Sequence, residues 1–488
     1  MDALLSVDLG TTGCKAAVCT VTGRILGANT IEYPLIYPAP GFVEQDTNLW
    51  WALSLQAMRA ALDVSEIPAE TIRAVSVSTQ GISFAPVDRS GLVLRNAINW
   101  LDTRAVEQAA RIKARIGDTG LFQITGKLPS AAYVLPKLMW LREHEPRLVD
   151  RTAKFLMAHD FLIYRLCGAV VTDYSMAGGS ALLDVRSLAW SEVLLSEFGV
   201  DRDQLPELAW SGTVAGKLTR QVAEEVGLVP GIPVVVGGQD QKCAALGAAI
   251  RPGVSTVSLG TASAITSLTE APILDPHRRI PTFPFVMAGL WDLEGVISTA
   301  GAAMKWARDT LCAGRDYTAL DDLAATSPPG AHGVRFYPHL AGATSPVWQS
   351  EARGAFLGLS LATDQADIVR SVLEGVAFQI RSNLDVMEEL TRVERLVLFG
   401  GGARSRLWAS IIAAVSGKPV QVAQVVDVAN WGACILAGVG CGLIGRDEVG
   451  RSAGALEAEF CAAEAEVEQY DALYEGYLAV QQQVLPGV

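Results

Sequence analysis

The sequence predicts an α/β protein of two domains that repeat one design around a central cleft. A chain of 488 residues is too long for one ordinary hydrophobic core, because single cores rarely grow beyond about 250 to 300 residues. Each half opens on a strand, a tight Gly-Thr turn and a second strand, at 8–13 and again at 258–263. We therefore expect a duplicated fold with domains at 1–250 and 251–488.

Hydrophobic periodicity assigns the elements of both halves. Period-2 or uniformly apolar runs predict strands at 3–7, 14–21, 25–33, 74–79, 234–236, 256–257, 264–268 and 395–399. Longer amphipathic runs predict helices at 135–143, 153–166, 241–250, 368–390 and 405–415. This order of elements is typical of a mixed α/β fold, present twice.

Composition and charge narrow the possible partners. Apolar residues make up 50% of the chain and charged residues 19%, which is typical of a well-packed enzyme. A net charge of -13 without a basic cluster argues against nucleic acid and anionic membrane, so we expect a small-molecule substrate. The sequence has no signal-peptide pattern and no run of roughly 20 apolar residues. Its 8 scattered cysteines predict reduced thiols in a cytoplasm.

The first turn, residues 8–15, has the groups that a phosphate site needs. Its two glycines let backbone amides approach an anion, and the hydroxyls of Thr11 and Thr12 can donate to phosphate oxygens. An ordinary glycine-rich hairpin would share these features. The second copy at Gly260 and Thr261 favours the functional interpretation, in which two turns face one polyphosphate.

The two turns differ in one carboxylate. Ser258 stands in the second turn where Asp8 stands in the first. Mg²⁺ prefers oxygen ligands and is commonly held by one or two carboxylates together with water and phosphate. The asymmetry predicts that Asp8 holds the metal, directly or through water, while the second turn only donates hydrogen bonds.

A second carboxylate stands at the start of a predicted helix. Asp240 follows Gly237, Gly238 and Gln239, and in that position it could be no more than a helix N-cap. The glycine pair would also permit close approach of a ligand, and the amide of Gln241 suits a sugar hydroxyl. As a catalytic base, Asp240 would accept the proton of an attacking hydroxyl.

An aromatic and ionic cluster follows at 99–104. Trp100 could stack on the apolar face of a sugar, while Asp102 and Arg104 bind hydroxyls or each other. The alternative is a helix N-terminus with a surface ion pair.

A glycine run at 400–402 suits a nucleotide resting on bare backbone. It is not a dinucleotide fingerprint, because Ser405 stands where the third glycine or alanine belongs. The sequence also has no lysine followed by serine or threonine, which excludes a Walker-type phosphate loop. It has no His-Arg-Asp, which excludes the catalytic loop of protein kinases. Phosphate binding is therefore expected to use the two turns.

Taken together, these residues resemble the FGGY family of carbohydrate kinases, and within it the xylulokinases most. The resemblance runs nearly end to end, and its motifs are specific in their order and spacing rather than one by one. They stand at 7–13, 41–46, 100–104, 136–141, 172–175, 237–240, 353–359 and 400–405.

The resemblance implies a duplicated actin-like (ribonuclease H-like) ATPase fold. ATP, Mg²⁺ and a small sugar or polyol would meet in the interdomain cleft, with Asp240 as general base and Asp8 near the metal. With the turn residues, the implied nucleotide site comprises Thr11, Thr12, Lys15, Gly260, Thr261, Gly301, Lys305, Gly402, Ala403 and Ser405. The implied substrate site comprises Gln80, Gly81, Trp100, Asp102, Arg104 and Gln241. A homodimer is left open.

One departure from the family separates kinase activity from substrate identity. Xylulokinases typically read Gln-Met-His-Gly where this chain has Gln80-Gly81-Ile82-Ser83. Glycerol kinases typically carry Arg-Glu at the two middle positions. Gly81 and Ile82 offer no polar side chain, so the sugar cannot be carried over from the resemblance. Kinases for another polyol or a sugar acid stay open, as does a non-catalytic actin-like sensor that binds sugar or nucleotide, whereas the failed fingerprint disfavours a nicotinamide oxidoreductase.

Overall fold

The computed structural model describes residues 2–425, 427–449 and 456–485. Its first half contains a large mixed sheet and two layers of helices. The strands there are β1 (Ala3–Leu9), β2 (Gly13–Thr20), β3 (Ile25–Glu32), β4 (Glu44–Gln45), β5 (Ile72–Thr79), β6 (Phe84–Val87), β7 (Ala97–Ile98), β8 (Lys154–Met157), β9 (Val171–Asp173), β10 (Leu183–Asp184), β11 (Ala189–Trp190), β12 (Glu207–Ala209), β13 (Val214–Lys217) and β14 (Pro233–Gln239). The helices are α1 (Thr47–Ser65), α2 (Val106–Thr125), α3 (Val134–His144), α4 (Pro146–Arg151), α5 (Ala158–Cys167), α6 (Tyr174–Gly179), α7 (Glu192–Phe198), α8 (Arg220–Val226) and α9 (Asp240–Gly247).

The second half contains another large sheet. Its strands are β15 (Gly253–Ser258), β16 (Ser263–Thr269), β17 (Thr282–Pro284), β18 (Trp291–Ile297), β19 (Arg335–Tyr337), β20 (Ala355–Leu357), β21 (Val393–Phe399), β22 (Val420–Ala423) and β23 (Leu456–Phe460). Its helices are α10 (Gly301–Leu311), α11 (Tyr317–Ala325), α12 (Gln365–Glu388), α13 (Arg406–Ser416), α14 (Val428–Gly440) and α15 (Glu464–Val484).

The two large sheets share one topology. The first has the order β13-β14-β5-β1-β2-β3, and the second has the order β17-β18-β16-β15-β21-β22-β23. In each, the opening strand pairs antiparallel with the next strand and parallel with a strand that follows a long helix. Strand β1 is buried along its whole length because helices cover both faces of its sheet. The predicted duplicated α/β fold is confirmed.

Helix α14 crosses to the first sheet, and helix α9 lies between the two sheets. Helix α14 follows the second sheet in sequence, yet its Cys434 lies in one apolar cluster with Leu4 of β1. Helix α9 follows the first sheet, yet its Ala244 packs with Val397 and Phe399 of β21. The first sheet is therefore closed on one face by a helix that the second half of the chain supplies, whereas α9 packs against both sheets.

Helices α9 and α14 touch backbone to backbone. A Cβ added to Gly432 of α14 would lie 1.9 Å from the carbonyl oxygen of Cys243 in α9. A Cβ added to Gly247 of α9 would lie 2.0 Å from the carbonyl oxygen of Val428 in α14. Each contact excludes every side chain at its glycine, so the crossing point of the two helices is fixed by the sequence.

A smaller lobe extends from the first half. Strands β4, β7, β6 and β8 form a four-stranded sheet, and an apolar cluster of its own joins that sheet to α2, α3 and α6. This lobe carries the segments 80–83 and 99–104 that the sequence analysis placed at the substrate.

The described elements match the predicted ones with one clear error. Residues 153–166 were predicted as one helix, but 154–157 form strand β8 and only α5 is helical. The strand exists because residues 154–157 pair with β6, from Lys154 opposite Val87 to Met157 opposite Phe84. That long-range pairing overrides local helix preference, which has no way to register it.

Two further features concern the hydrophobicity of the helices and the state of the cysteines. Among the described residues, no helix is long and apolar enough to cross a membrane. All the cysteines are free, and most of them are buried.

We predict that Gly432→Ala lowers the Tm by about 5 to 10 °C. The added methyl group must push α14 away from α9. This loosens the apolar packing of both helices against the sheets. Thermal unfolding followed by circular dichroism measures the change. Gly120→Ala is the matched control, because a Cβ at that position in α2 meets nothing closer than 3.4 Å, and its Tm should stay level or rise. Equal Tm values for the two variants would contradict the close crossing.

Candidate active site

Asp240 begins α9 where β14 ends, so its carboxylate stands at the edge of the first sheet. Its Oδ1 accepts a hydrogen bond from the backbone N–H of Gln241 at 2.7 Å. Burial, and after it the nearby carboxylate of Asp8, raise the pKa of Asp240 to about 7. A carboxylate held near that value accepts a proton far more readily than an ordinary aspartate does.

The glycines before Asp240 have a packing role. A Cβ on Gly237 would lie 1.6 Å from the carbonyl oxygen of Val77 in β5, and one on Gly238 would lie 2.4 Å from a methyl carbon of Val286. Both glycines are needed for β14 to reach its place in the sheet. The approach that they permit is that of neighbouring protein, not of a ligand as the sequence suggested.

Asp8 lies near the end of β1, at the same edge of the sheet as Asp240, with β5 between the two strands. Ser78 of β5 donates a hydrogen bond to its Oδ1 at 2.8 Å. Burial, and after it the negative charge of Asp427, raise the pKa of Asp8 to about 6, against the opposing effect of Lys15. Asp427 caps the start of α14, and sequence reasoning missed it because it lies far along the chain in no recognisable motif.

The carboxylate pair fits Mg²⁺. Among the described residues, no group of three or more histidine, cysteine, aspartate or glutamate side chains is arranged to hold a metal. The charge of Asp8 raises the pKa of Asp240, and the charge of Asp427 raises the pKa of Asp8, so a nearby cation would stabilise the charged forms of these carboxylates. Mg²⁺ needs only one or two carboxylates because it keeps several waters and binds phosphate oxygens.

Trp100 is tied to the first turn. It is 40% exposed, and its Nε1–H donates to the hydroxyl of Thr11 at 2.9 Å. Gln45 also holds this turn, because its Nε2 donates to the carbonyl oxygen of Thr11 at 2.7 Å. The structure thus brings the predicted sugar-stacking side chain together with one predicted phosphate-binding residue.

Gln80 belongs to a buried amide network beneath that turn. Its Nε2 donates to Oε1 of Gln45 at 2.8 Å, and its Oε1 accepts from Nδ2 of Asn99 at 3.1 Å. The network joins the segments that begin at Gln80 and at Asn99. Its visible role is to hold Thr11 and Trp100 in place.

Asp102 and Arg104 bind each other. Arg104 donates from its Nε and Nη2 to the carboxylate of Asp102, and Nη2 also reaches Glu44 at 2.8 Å. The guanidinium lies 4.2 Å from the ring centre of Phe42. Of the two roles that the sequence left open for this pair, the structure shows mutual binding, in a buried cluster behind Trp100.

The second turn borders a cavity of about 730 Å³ in the second half of the chain. Most of the second-half residues predicted at the nucleotide line this cavity, namely Gly260, Thr261, Gly301, Lys305, Gly402 and Ser405. The ring of Trp408 and the side chain of Met304 add apolar walls. An apolar slot that ends at a glycine turn suits a flat base followed by phosphates.

Helix α10 starts directly against the second turn. The backbone N–H of Gly301 donates to the carbonyl oxygen of Gly260 at 2.8 Å, and a Cβ on Gly301 would lie 2.5 Å from that oxygen. The start of the helix and the turn therefore form one unit. At its exposed rim, Lys305 pairs with Asp309 at 2.6 Å.

The remaining predicted residues lie elsewhere around these sites. Ala403 borders a separate cavity of about 380 Å³ on the far side of the glycine run. Thr12 is exposed in the first turn, and Lys15 stands in β2 directly opposite Asp8. The structure thus gathers the predicted residues around two places, the Asp8–Asp240 edge and the 730 Å³ cavity.

A buried ionic cluster lies behind Asp240. Lys242 of α9 is fully buried and donates to Asp292 at 2.6 Å and to Glu294 at 2.5 Å, both in β18 of the second sheet. Burial alone would lower the pKa of Lys242, but the two carboxylates raise it above its ordinary value. Lys127 completes the cluster, and its Nζ lies 3.6 Å from the ring centre of Phe283.

Sequence reasoning missed this cluster, although one signal was available. Lys242 directly precedes the apolar run 243–246 at the start of a short helix, a position where a solvated lysine is not expected. The cluster ties the helix that carries Asp240 to the second sheet.

Comparison with known proteins identifies relatives along nearly the whole chain. The model of the FGGY family of carbohydrate kinases, N-terminal domain, matches residues 3–247, and that of the C-terminal domain matches residues 255–441. The chain is 31% identical to a xylulose kinase of Lactococcus lactis, covering 97% of this chain and 95% of that protein. It is 30% identical to a xylulose kinase of Bacillus subtilis, covering 91% and 89%. It is also 31% identical to a glycerol kinase of Thermococcus onnurineus, covering 89% and 88%.

Solved structures share the fold over the full length. A xylulose kinase of Rhodospirillum rubrum superposes with a TM-score of 0.91 at 26% identity, covering 99% of both chains. A gluconate kinase of Lactobacillus acidophilus superposes with a TM-score of 0.93 at 24% identity, covering 100% of this chain and 99% of that one. The fold is thus common to proteins that carry different substrate names.

We predict that Lys242→Met lowers the free energy of unfolding by about 3 to 5 kcal/mol, because Asp292 and Glu294 lose their buried counter-charge. The two carboxyl groups can then avoid an unpaired charge only by binding protons. The loss should therefore be larger at pH 8 than at pH 5. Denaturant unfolding at both pH values measures it, with the exposed Lys217→Met as the matched control. A loss no larger than that of the control would mean that the cluster is not an ion pair.

Proposed function

The chain belongs to the FGGY family of carbohydrate kinases, and from that premise we propose that it transfers the γ-phosphate of MgATP to a hydroxyl of a small ketose such as xylulose or of a related polyol. The observation that carries this proposal is the placement of Asp8 and Asp240 at the same edge of the first sheet, one near the end of β1 and the other directly after β14, with β5 between the two strands. Binding alone needs neither of two mutually repelling carboxylates, whereas phosphoryl transfer uses both a proton acceptor and a metal site.

Asp240 is the proposed general base. Its pKa of about 7 leaves a large fraction ionised at neutral pH while making the carboxylate a stronger proton acceptor than an unperturbed aspartate. The backbone N–H of Gln241 holds one carboxylate oxygen, which leaves the other free to receive the proton of a sugar hydroxyl. The helix start fixes the direction of that oxygen.

Asp8 is the proposed anchor for Mg²⁺. When bound, Mg²⁺ would neutralise charge on the phosphates. Ser78 orients the carboxylate by a hydrogen bond, and Lys15 lies opposite it in β2. Thr11 and Thr12 would present hydroxyls to the phosphates from the same turn.

The nucleotide is proposed to occupy the cavity of about 730 Å³. Gly260 and Thr261 would meet the phosphates at the second turn, and Gly301 would hold the start of α10 against that turn. Lys305 stands one helical turn further along α10, where its charge can reach a phosphate. Gly402 and Ser405 would border the nucleoside.

The substrate is proposed at the level of its class. Relatives named xylulose kinase and glycerol kinase match this chain at almost the same identity, so identity does not select between a ketose and a triol. Gly81 and Ile82 replace the residues that distinguish the two groups of enzymes. The proposal therefore rests on the reaction and on a substrate with several hydroxyl groups, with xylulose as the first compound to test.

We predict that the purified protein transfers phosphate from MgATP to at least one compound in a panel of pentuloses, pentitols, glycerol and sugar acids. Coupled measurement of ADP and mass spectrometry of the sugar product give the readout. Asp240→Asn should reduce turnover by about 100-fold or more, because the amide cannot accept the proton. Its sugar binding, measured by calorimetry, should stay within about 3-fold. Sugar binding without any phosphorylated product would instead favour a sensor.

We predict that kcat/KM for the sugar rises with pH and levels off at or below about pH 7. Asp240 works in its deprotonated form, and the raised pKa of about 7 means that protonation removes activity on the acidic side. A bound cation beside Asp8 favours the carboxylate, so the midpoint moves down when Mg²⁺ is present. Rates between about pH 5 and pH 9 define the limb. A profile that is flat from pH 5 upward would contradict the role of Asp240.

A further inference from the structure

Two glutamine side chains flank Asp240, and both keep an unpaired buried oxygen. Among the described residues, neither Oε1 of Gln239 nor Oε1 of Gln241 has a hydrogen-bond partner. A buried amide oxygen without a donor costs free energy, and such groups are usually paired. Two of them on either side of one carboxylate indicate a ligand that brings donors.

The amide of Gln239 lies where a side chain at position 81 would stand. A Cβ on Gly81 would be 2.8 Å from Nε2 of Gln239 and 3.4 Å from its Cδ. A methionine or arginine at position 81, as in the two related groups of kinases, would displace this amide. The absence of a side chain at Gly81 is therefore what allows Gln239 to reach over the segment 80–83.

Ile82 does not supply the lost polar group. Its side chain faces α6, where one of its methyl carbons would lie 2.6 Å from a Cβ on Gly179. Ile82 also has a φ of 56°, a costly conformation for a β-branched residue, and such strain clusters at functional sites. The segment is bent so that Gly81 is left beneath the amide of Gln239.

The backbone of Gln239 is fixed on both sides. Its N–H donates to the hydroxyl of Ser175 at 3.0 Å, and in β14 it pairs with Thr79 of β5. The side chain therefore starts from a rigid point next to the proposed base. A group held in this way discriminates between hydroxyl positions better than a mobile one does.

We propose that Gln239 is a substrate-specificity residue whose amide binds a hydroxyl of a neutral polyhydroxylated substrate, in the space that Gly81 leaves open. The amide both donates and accepts, so it suits a neutral hydroxyl, whereas neither Gly81 nor Ile82 brings a positive charge for a carboxylate. The inference rests on the proposed kinase function and deepens it. Gln241, on the other side of Asp240, binds a second hydroxyl.

The test compares ratios of kcat/KM across substrates that differ at one hydroxyl. The panel is D-xylulose, its epimers D-ribulose and L-xylulose, 1-deoxy-D-xylulose, xylitol and D-gluconate. In Gln239→Met, the preference of the wild-type protein for its best substrate over at least one single-hydroxyl analogue should fall by about 10-fold to 100-fold. Gln221→Met, the same change at an exposed site in α8, should leave every ratio within about 2-fold.

A second variant tests the contact with Gly81. Gly81→Ala should push the amide aside and reproduce part of the effect of Gln239→Met on the same ratio. In the Gln239→Ala background no amide is left to displace, so adding Gly81→Ala should change that ratio by less than about 2-fold. Equal effects of Gly81→Ala in both backgrounds would overturn the proposed contact.

The outcomes separate this inference from the kinase assignment. Phosphorylation by the wild-type protein with unchanged ratios in Gln239→Met overturns the inference and leaves the kinase function standing. A uniform loss of activity at unchanged ratios has the same meaning, because it shows only that Asp240 was disturbed. A best substrate that is D-gluconate also overturns the inference. No product from any compound, in either protein, overturns both.

Discussion

The crossing of α9 and α14 is the constraint on which the rest of the structure depends. Two glycines bring the helix backbones into contact, α14 covers one face of the first sheet, and α9 packs against both sheets. Asp240 stands at the first residue of α9. The proposed base is therefore placed by an element that both halves hold, and a change in their mutual position would move it relative to both.

The charges around α9 are arranged at a cost in stability. Asp8 and Asp240 stand at the same edge of the first sheet with raised pKa values, Asp8 through burial and the charge of Asp427, and Asp240 through burial and the charge of Asp8. Lys242 sits two residues further along the helix and is fully paired with Asp292 and Glu294. The ion pairs in that cluster hold α9 to the second sheet. The carboxylates of Asp8 and Asp240 have raised pKa values, so a bound cation would stabilise their charged forms. The carboxylates with raised pKa values at the start of α9 thus stand at the place where chemistry can use them.

Sequence reasoning succeeded where local pattern determines structure. The repeated Gly-Thr turns gave the duplication, and Asp8 and Asp240 were recognised because each follows a strand. It failed where the partner lies far along the chain. Strand β8 needs β6, and Lys242 needs Asp292, 50 residues away. Asp102 and Arg104 could equally bind sugar or each other until Glu44 and Phe42 were placed beside them. Gln239 carried no signal at all, because its significance lies in the side chain that Gly81 lacks.

Substrate choice is the part of this protein that the fold does not determine. Proteins named for xylulose and gluconate superpose on it almost equally well, so the sheets and the crossing helices serve the phosphoryl transfer that they share. A short segment of the small lobe, residues 80–83, departs from the patterns typical of xylulokinases and glycerol kinases. Because Gly81 and Ile82 have no polar side chains, the segment 80–83 offers no side-chain hydrogen bond at these two positions. The space beside Gly81 is open to the amide of Gln239, which is anchored on the first sheet. In the proposed arrangement, the hydroxyl is recognised from the end of β14, and the residue that positions it is the neighbour of Asp240, the proposed base at the start of α9.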